Sequence, residues 1–322
     1  MISTRALTRD FVVSRTETVH AVRGITLDVE PGELVAVLGP NGAGKTTTLR
    51  MLTTLIASTS GTATVAGYDV TTHPSQVRRR IGYVGQGNGA GHAQRAADEL
   101  SGQGVIYGLD RRTAKQRAGE LLDALELTDL AQRKVSELSG GQRRRLDVAM
   151  GLMHAPPLLF LDEPSTGLDP QNRANLWDHI LRMREQYAMT IVLTTHYLDE
   201  ADSMAERVVV VDHGEVIADD TADGLKAELA GDRLALTVAS SNAAELARLA
   251  EKLPGARDVV AAGDEVGVRV ANGPTALPEL IAAAQQHGVP IASAQVHRPT
   301  LDDVFLNLTG RSLREDSNGK AA

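Results

Sequence analysis

The sequence has no cysteine and no long apolar run, and each absence excludes a class of protein. Without cysteine the chain forms no disulfides, thiolate metal sites or thiol nucleophiles, which is typical of a reducing compartment. No apolar run reaches the roughly 18 residues that a membrane-spanning helix requires. The first ten residues also lack the hydrophobic segment of a secretory signal peptide. We therefore expect a soluble chain, for which any membrane-embedded part would be a separate subunit.

Basic residues are fewer than acidic ones, with 33 Lys and Arg against 41 Asp and Glu and a formal net charge of -8. An excess of negative charge disfavours broad contact with nucleic acid, which attracts basic surfaces. We therefore expect no nucleic-acid partner. The length of 322 residues predicts two domains, with ample chain for a substantial core.

A glycine-rich stretch at residues 39–47 lies between a predicted buried strand at 34–38 and a predicted helix at 48–52. It has the G-x-x-x-x-G-K-[ST] spacing of a nucleotide phosphate loop, in the strand–loop–helix context that the motif requires. Glycines allow backbone N–H groups to turn toward phosphate oxygens, and the helix N-terminus adds partial positive charge. In such a loop the lysine can reach the β- and γ-phosphates of the nucleotide, and the next hydroxyl can ligate Mg²⁺. The predicted nucleotide-binding residues are Gly39, Pro40, Asn41, Gly42, Ala43, Gly44, Lys45, Thr46 and Thr47, with Thr46 also a metal ligand.

Asp162 and Glu163 follow a second apolar run, at residues 158–161, which predicts a strand covered on both faces of a parallel sheet. The carboxyl ends of such strands form the ligand-binding edge of doubly wound folds. We predict that Asp162 binds Mg²⁺, through water, and that Glu163 polarises the attacking water as general base. An isolated Asp-Glu pair would more often be a solvated helix start, but the upstream phosphate loop disfavours that reading.

A second glycine turn, formed by Ser139, Gly140, Gly141 and Gln142, precedes a predicted helix that continues through Met153. This turn is competent for phosphate contact but has no Lys-Thr pair of its own. The chain therefore has one complete phosphate site and one partial site. A two-fold dimer would resolve the mismatch, because each partial site completes the partner's full site.

The arginines that follow this turn, Arg143, Arg144 and Arg145, are predicted to form a solvated helix face with at most one structural ion pair. A glycine-rich segment at 87–91 is predicted to be a flexible loop. Helical periodicity marks residues 94–131, so we expect a largely helical subdomain at about 90–153.

The pattern changes near residue 231. The remaining elements are predicted in the order βαββαβ, which is the order of a small ferredoxin-like α+β domain. The predicted strands lie at about 234–238, 257–261, 266–270 and 291–296, and the helices at 243–252 and 276–287.

A short helix closes this C-terminal domain and places Leu301, Val304 and Phe305 on one face as a docking stripe. Residues 231–310 have no phosphate loop, metal-ligand spacing or nucleophile constellation, so we assign them no chemistry. We favour a dimer-stabilising or packing module over a sensor of bound cargo. The polar residues 311–322 are predicted to be a disordered tail.

Taken together, these motifs resemble an ABC-type ATPase over roughly residues 1–230. The resemblance rests on the order of the phosphate loop, Gln86, the Leu138-Ser139-Gly140-Gly141-Gln142 turn, the Asp162-Glu163 strand, the segment at 165–169 and His196. It implies an α/β P-loop NTPase fold of the ABC type, with a helical subdomain and a separate C-terminal domain. The combination is far more specific than any one motif.

The resemblance also implies roles for individual residues. Gln86 resembles the loop residue that senses Mg²⁺ and contacts a membrane subunit, and we count it as a metal and catalytic candidate. Ser139, Gly140, Gly141 and Gln142 resemble the signature turn that clasps the partner's ATP. Asp169 resembles the inter-subunit loop residue, and His196 resembles the switch histidine on the γ-phosphate.

Phe11 resembles the aromatic residue that stacks on adenine, although a Phe in an N-terminal strand is more often plain packing. After Gln86 the sequence departs from the family, because it lacks the usual Thr-x-x-Glu-Asn pattern. That departure leaves the details of the membrane-subunit contact open.

The C-terminal part, ending in Pro-Thr-Leu-Asp-Asp-Val-Phe-Leu at 299–306, resembles the daunorubicin/doxorubicin-resistance type of ATP-binding subunit. This resemblance implies an ATP-hydrolysing subunit of an exporter of drugs, antibiotics or lipids. Its expected partners are a second copy of itself, head to tail, and an integral membrane permease at the cytoplasmic face of a bacterial membrane. The alternatives are a non-transport ABC ATPase acting on nucleic acid or the ribosome, and a regulatory ABC subunit.

Overall fold

The structure is a computed structural model that describes residues 1–87 and 89–310. The chain divides into two compact units, one ending at Asp219 and the next beginning at Asp220. The pattern change near residue 231 had suggested a boundary about ten residues later. The boundary lies earlier because residues 222–230 form a short helix and a π-helical turn, and both contact the last helix of the second unit.

The first unit begins with an antiparallel sheet in the order β2-β1-β4-β5. Alternating apolar residues turn one face of β1 and β2 inward, as the period of a half-buried strand requires. Its strands are β1 (Ile2–Val12), β2 (Thr18–Val29), β4 (Ser60–Val65) and β5 (Tyr68–Asp69), with β3 (Leu34–Leu38) belonging to the second sheet.

The second sheet has the order β10-β9-β3-β8-β7-β6, and the pairings among β9, β3, β8, β7 and β6 are parallel. All residues of β3, β7 and β8 are buried, so the apolar runs at 34–38 and 158–161 are confirmed as central strands. The remaining strands of this sheet are β6 (Ile81–Val84), β7 (Leu158–Asp162), β8 (Thr190–Thr195), β9 (Arg207–Asp212) and β10 (Glu215–Asp220).

The helices of the first unit connect these strands, and the region 94–131, predicted to be helical, contains two α-helices. The two are α3 (Ala96–Ile106) and α4 (Arg111–Ala124), and Asp110 caps the second by accepting from the backbone N–H of Thr113. The others are α1 (Lys45–Leu52), α2 (Pro74–Arg80), α5 (Gly140–Leu152), α6 (Pro170–Tyr187) and α7 (Leu198–Met204).

One core cluster joins the two sheets of the first unit. It contains Leu7 and Val22 from the antiparallel sheet, Val37 and Phe160 from the parallel sheet, and Leu49 from α1. Burying each such side chain contributes roughly 1.5–3 kcal/mol. The core therefore fixes the start of α1 against the ends of β3 and β7, where the predicted site residues lie.

The second unit contains a four-stranded antiparallel sheet in the order β12-β13-β11-β14. This is the strand order of a ferredoxin-like domain, so the predicted βαββαβ arrangement is confirmed. Its elements are α8 (Ala222–Leu225), a π-helical turn (Lys226–Ala230), β11 (Asp232–Val238), α9 (Ala243–Ala250), β12 (Arg257–Ala262), β13 (Glu265–Val270), α10 (Gly273–Gln286), β14 (Ile291–His297) and α11 (Leu301–Thr309).

The predicted apolar stripe on α11 is buried, with Leu301, Val304 and Phe305 all at or below 1% exposed. The helix that carries the stripe contacts α8 and the π-helical turn of the same unit. The stripe is therefore buried and not exposed on the surface. The predicted tail at 311–322 lies outside the described residues. Across the described part of the chain, no helix combines the length and apolarity needed to span a membrane.

Candidate functional site

The phosphate loop has the backbone conformation that its glycines permit. Gly42 and Gly44 have φ values of 84° and 102°, in the region that other residues rarely adopt. Gly39 is required for space, since a Cβ there would stand 2.1 Å from the carbonyl oxygen of Val211. The loop can therefore present its N–H groups only with glycine at these positions.

Lys45, the first residue of α1, folds back over the loop. Its ammonium group donates hydrogen bonds to the carbonyl oxygens of Gly39 at 2.6 Å and Pro40 at 3.0 Å. Only 4% of the side chain is exposed, and burial lowers its pKa from the ordinary value, partly offset by the carboxylates of Glu163 and Asp162. The charge is thus held beside the place where the loop would bind phosphate.

Asp162, at the end of β7, forms a polar cluster with two hydroxyl groups. The Oγ1 atoms of Thr46 and Thr194 each donate to Asp162 Oδ1 at 2.7 Å. The hydroxyl of Tyr83 lies 3.4 Å from Asp162 Oδ2. Parallel pairing of β6, β7 and β8 brings these groups from separate parts of the chain to one edge of the sheet.

Glu163 stands next to this cluster in a strained backbone conformation, with φ of 47°. Its N–H donates to the backbone oxygen and to Oγ1 of Thr194, both at 3.1 Å, which fixes the turn at the end of the strand. Its carboxylate lies 3.7 Å from Lys45 Nζ and 3.4 Å from His196 Nδ1. The structure therefore brings three predicted site residues, Lys45, Glu163 and His196, into contact.

The surroundings of Glu163 favour its charged form. Burial alone would raise the pKa of this carboxyl, but His196, Lys45 and a hydrogen bond from Thr166 together lower it below its ordinary value. Glu163 is consequently ionised at neutral pH, as a group that accepts a proton from water must be.

Lys45, Thr46 and Glu163 border a cavity of about 550 Å³ beside the phosphate loop, whereas Asp162 and His196 are not among its lining residues. Gln86 lines it, as does Glu163, so the Gln86 loop does reach the predicted site. Phe11 is not among the lining residues. It lies directly opposite Val19, which does line the cavity, and the guanidinium of Arg9 covers its ring at 4.6 Å. Sequence reasoning missed the β2 wall of this cavity, formed by Thr18, Val19, His20, Ala21 and Arg23.

The signature turn lies apart from this cavity, since none of its four residues lines it. Ser139 caps α5: its hydroxyl accepts from the Gln142 N–H at 3.3 Å, and the Gln142 side chain accepts from the Ser139 N–H at 2.9 Å. Gly141 is buried against Asn172. A Cβ added to Gly141 would stand 2.6 Å from the side-chain oxygen of Asn172. Asp169 caps α6 and accepts from the N–H of the same Asn172 at 3.0 Å. The signature turn and the Asp169 turn are therefore neighbours.

The prediction for the arginines after this turn was wrong for Arg144. Only 7% of it is exposed, and its guanidinium donates at 2.6 Å to the carbonyl oxygens of both Gly85 and Pro164. Two longer bonds reach the carbonyl oxygens of Asp162 and Glu163. Helical periodicity could not reveal this role, because its partners are backbone atoms of distant loops.

Asp147, one turn further along α5, anchors the other end of the Gln86 loop. Its Oδ1 accepts from the N–H groups of Gly89 at 2.9 Å and Ala90 at 3.1 Å. The segment predicted to be a flexible loop therefore has two of its amides bound, while Asn88 lies outside the described residues. Arg144 and Asp147 together hold the chain on both sides of Gln86.

The oxygen groups at the site suit a magnesium ion. Mg²⁺ prefers oxygen ligands and is commonly held by one or two protein groups together with substrate phosphates and water. The Thr46 hydroxyl and the Asp162 carboxylate, 2.7 Å apart, supply that donor set, and the Gln86 amide lines the same cavity. Among the described residues no cluster of three His, Cys, Asp or Glu side chains could hold a metal by itself.

Comparison with known proteins agrees with this geometry. The family model described as ABC transporter matches residues 22–166. The structure resembles the dimeric post-hydrolysis state of the ATP-binding cassette MJ0796 bound to ADP and Pi, with a TM-score of 0.64 and 25% identity over 69% of this chain and 98% of that one. The chain belongs to the ABC transporter family and is an ATP-binding subunit with ATPase activity.

A second family model, described as the C-terminal domain of DrrA1-3-like ATP-binding proteins, matches residues 221–309. The chain is 43% identical to daunorubicin resistance ATP-binding protein DrrA2 of Streptomyces coeruleorubidus over 94% of both chains. It is 40% identical to the daunorubicin/doxorubicin resistance protein DrrA of Streptomyces peucetius, over 99% of this chain and 97% of that one. It is also 37% identical to the linearmycin resistance protein LnrL of Bacillus subtilis, over 91% of this chain and 95% of that one. Within the ABC family it therefore belongs to the drug-resistance, DrrA-like group.

Proposed function

We propose that this chain powers the export of a drug, an antibiotic or a lipid through a separate membrane permease. The observation that carries the proposal is that the phosphate loop and Glu163 border one cavity and that Asp162 is hydrogen-bonded to Thr46 of that loop. The relatives of this chain are named for resistance to daunorubicin, doxorubicin and linearmycin. The cargo class is taken from those names.

In this proposal Lys45 and the loop N–H groups bind the β- and γ-phosphates of ATP, and Thr46, Asp162 and Gln86 hold the associated Mg²⁺. The metal would neutralise charge on the phosphates and orient them. Glu163 accepts the proton of the attacking water, which its ionised state allows. His196, 3.4 Å from Glu163, orients that carboxylate and reaches toward the γ-phosphate.

We propose that the active form is a head-to-tail dimer. The signature turn cannot complete the cavity of its own chain as the structure stands, because its residues line no part of that cavity. A two-fold partner would bring Ser139, Gly140, Gly141 and Gln142 to the phosphates, with Asp169 beside them. The solved structures that this chain resembles include a dimeric ATP-binding cassette.

Phe11 is proposed to contact the adenine ring from beside Val19, after displacement of the Arg9 guanidinium that now covers it. The Gln86 loop is proposed to face the permease, which would place the protein at the cytoplasmic face of the membrane. The C-terminal unit is proposed to stabilise the dimer or its assembly with the permease, as the packing of its own core allows.

The test is to co-express the chain with each multi-spanning protein encoded beside its gene and to measure ATPase activity in vesicles against candidate cargos. Cargo-stimulated hydrolysis and ATP-dependent transport that disappear in Glu163→Gln would support export. ATPase activity that responds only to DNA or ribosomes, with no permease co-purifying, would instead favour the non-transport alternative. No hydrolysis under any condition, with ATP still bound, would favour a regulatory subunit.

A further inference from the structure

The C-terminal sheet has one covered face and one open face. Along β11, Leu234, Leu236 and Val238 are buried among apolar residues of α9 and α10. Because side chains alternate along a strand, Arg233 and Thr237 project from the opposite face. A cavity of about 640 Å³ lies on that face, with walls from β11, β13, β14 and the start of α11.

Basic side chains lie in one row across this open face. Arg233 on β11 is directly opposite Arg269 on β13 and directly opposite His297 on β14. Arg298 follows His297 and also lines the cavity. Like charges directly opposite one another in an antiparallel sheet destabilise it. An anion bound on this face would relieve the repulsion that the row creates.

Of the acidic groups nearby, one pairs with Arg269, one is engaged at the start of α11, and one lies at the other end of the cavity. Asp258 Oδ2 lies 3.5 Å from Arg269 Nε, so that guanidinium is partly neutralised. Asp303 accepts hydrogen bonds from the N–H and hydroxyl of Thr300, at the N-terminus of α11. The Arg233 side chain has no hydrogen bond or ion pair within the residues that the structure describes. No described carboxylate therefore pairs directly with its guanidinium.

Arg233 lies close to the sheet, and the two ends of the cavity differ in charge. Its guanidinium lies over Gly267, 3.5 Å from where a Cβ would stand. At the other end Ser293 Oγ donates to Thr237 Oγ1 at 2.9 Å, and Glu265 lies opposite Thr237. The arginine end therefore favours an anion, and the hydroxyl end favours the neutral polar part of the same molecule.

We propose that this cavity binds a phosphate monoester, with its phosphate between Arg233 and Arg269. Guanidinium groups present paired N–H donors that match phosphate oxygens. The volume suits a small ligand. The lining contains no Phe, Tyr or Trp, whose rings single-stranded nucleic acid would need for stacking. The lining shares no residue with the nucleotide cavity of the first unit. The monoester is either a soluble metabolite or the headgroup of a phosphatidic-acid-like lipid.

The test uses the full chain saturated with Mg²⁺ and ADP, so that the phosphate loop is already occupied. Histidine labelled with ¹³C gives a local NMR reporter at His297, which is identified by its loss in His297→Gln. Titration with glycerol 3-phosphate should shift this signal saturably, with affinity falling at least about tenfold in Arg233→Gln. The matched control is Arg248→Gln on α9, an exposed arginine whose partner is Glu245, and it should bind as the wild type does.

A second arm uses vesicles. Sedimentation with phosphatidic acid vesicles, but not with phosphatidylcholine vesicles, without a response to glycerol 3-phosphate would identify a lipid headgroup as the source of the phosphate. Arg233→Gln should abolish that sedimentation. Arg233 is exposed and lies opposite the like-charged Arg269. The Arg233→Gln variant should therefore melt at or above the wild-type temperature in low salt, and this measurement separates lost binding from misfolding. No response to either probe, or a response unchanged in Arg233→Gln, would overturn the proposal.

Discussion

Arg144 Nη1 donates a 2.6 Å hydrogen bond to the carbonyl oxygen of Gly85, the residue immediately before Gln86. The Nε atom of the same side chain donates to Pro164, immediately after Glu163. Arg144 lies on α5, whose first turn is the signature turn capped by Ser139. One buried side chain thus connects the Gln86 loop, the turn after β7 and the helix that follows the signature turn.

We predict that Arg144→Ala lowers the free energy of unfolding by about 2–4 kcal/mol, because it leaves buried carbonyl oxygens without donors. Urea unfolding followed by circular dichroism measures this loss. Arg144→Lys should recover only part of it, since one ammonium group cannot reproduce the guanidinium fork. Arg143→Ala is the matched control, since the Arg143 guanidinium donates one long hydrogen bond, 3.4 Å to the carbonyl oxygen of Leu138, within the described residues. Equal effects of Arg143→Ala and Arg144→Ala would contradict the role of Arg144.

Glu163→Gln should retain ATP binding and lose turnover by about 10²–10⁴-fold, the usual contribution of a general base. The amide cannot accept the proton of water, while the phosphate loop is unchanged. The variant should accumulate as an ATP-bound dimer in size-exclusion chromatography, whereas Lys45→Ala should bind nucleotide weakly from the outset. Wild-type steady-state hydrolysis by Glu163→Gln would remove this residue from the base role.

The lowered pKa of Glu163 predicts how stability depends on pH. A carboxyl whose folded-state pKa lies below its ordinary value of 4.5 stabilises the fold above that pH and loses this contribution as pH falls through the folded value. Between pH 7 and pH 5 its contribution should therefore be constant. Below about pH 4.5, thermal melting should show a larger loss in the wild type than in Glu163→Gln. Parallel melting curves over this acidic range would show that Glu163 is not stabilised in its ionised form.

The head-to-tail arrangement predicts complementation between two inactive variants. A heterodimer of Lys45→Ala and Ser139→Arg chains has both lesions in one composite site and leaves the other intact. Mixing the two should restore some ATP-driven dimerisation or hydrolysis if one site suffices, which a coupled phosphate-release assay would detect. Crosslinking that placed Ser139 against the phosphate loop of its own chain in the closed state would contradict the arrangement.

Phe305→Ala should destabilise the C-terminal unit by about 3–5 kcal/mol, because the Phe305 side chain on α11 is fully buried. The matched control is Leu306→Ala on the same helix, where 43% of the side chain is exposed and the expected loss is about 0.5 kcal/mol or less. Denaturant unfolding compares the two stabilities, and a pull-down with the permease compares assembly. A larger assembly defect for Leu306→Ala than for Phe305→Ala would indicate that the exposed face of α11, and not its buried stripe, binds a partner.

The sequence by itself determined the parts of this protein whose physics is local. Strand, glycine loop and helix around Lys45 are specified by apolar runs and by turns that only glycine permits, so they could be predicted without tertiary contacts. The same is true of the strand before Asp162 and of the βαββαβ order after residue 231. The family resemblance added expected roles for Gln86 and His196 because their order along the chain is distinctive.

Only the tertiary structure decided which distant groups meet. Arg144 has its hydrogen-bond partners 18 to 59 residues away in the chain, and Asp147 holds amides 57 and 58 residues away. The row formed by Arg233, Arg269 and His297 depends on strand register, and a shift of one residue would turn these side chains to the other face. Long-range hydrogen bonds and register leave no periodic trace in a sequence, since they depend on how the whole chain packs.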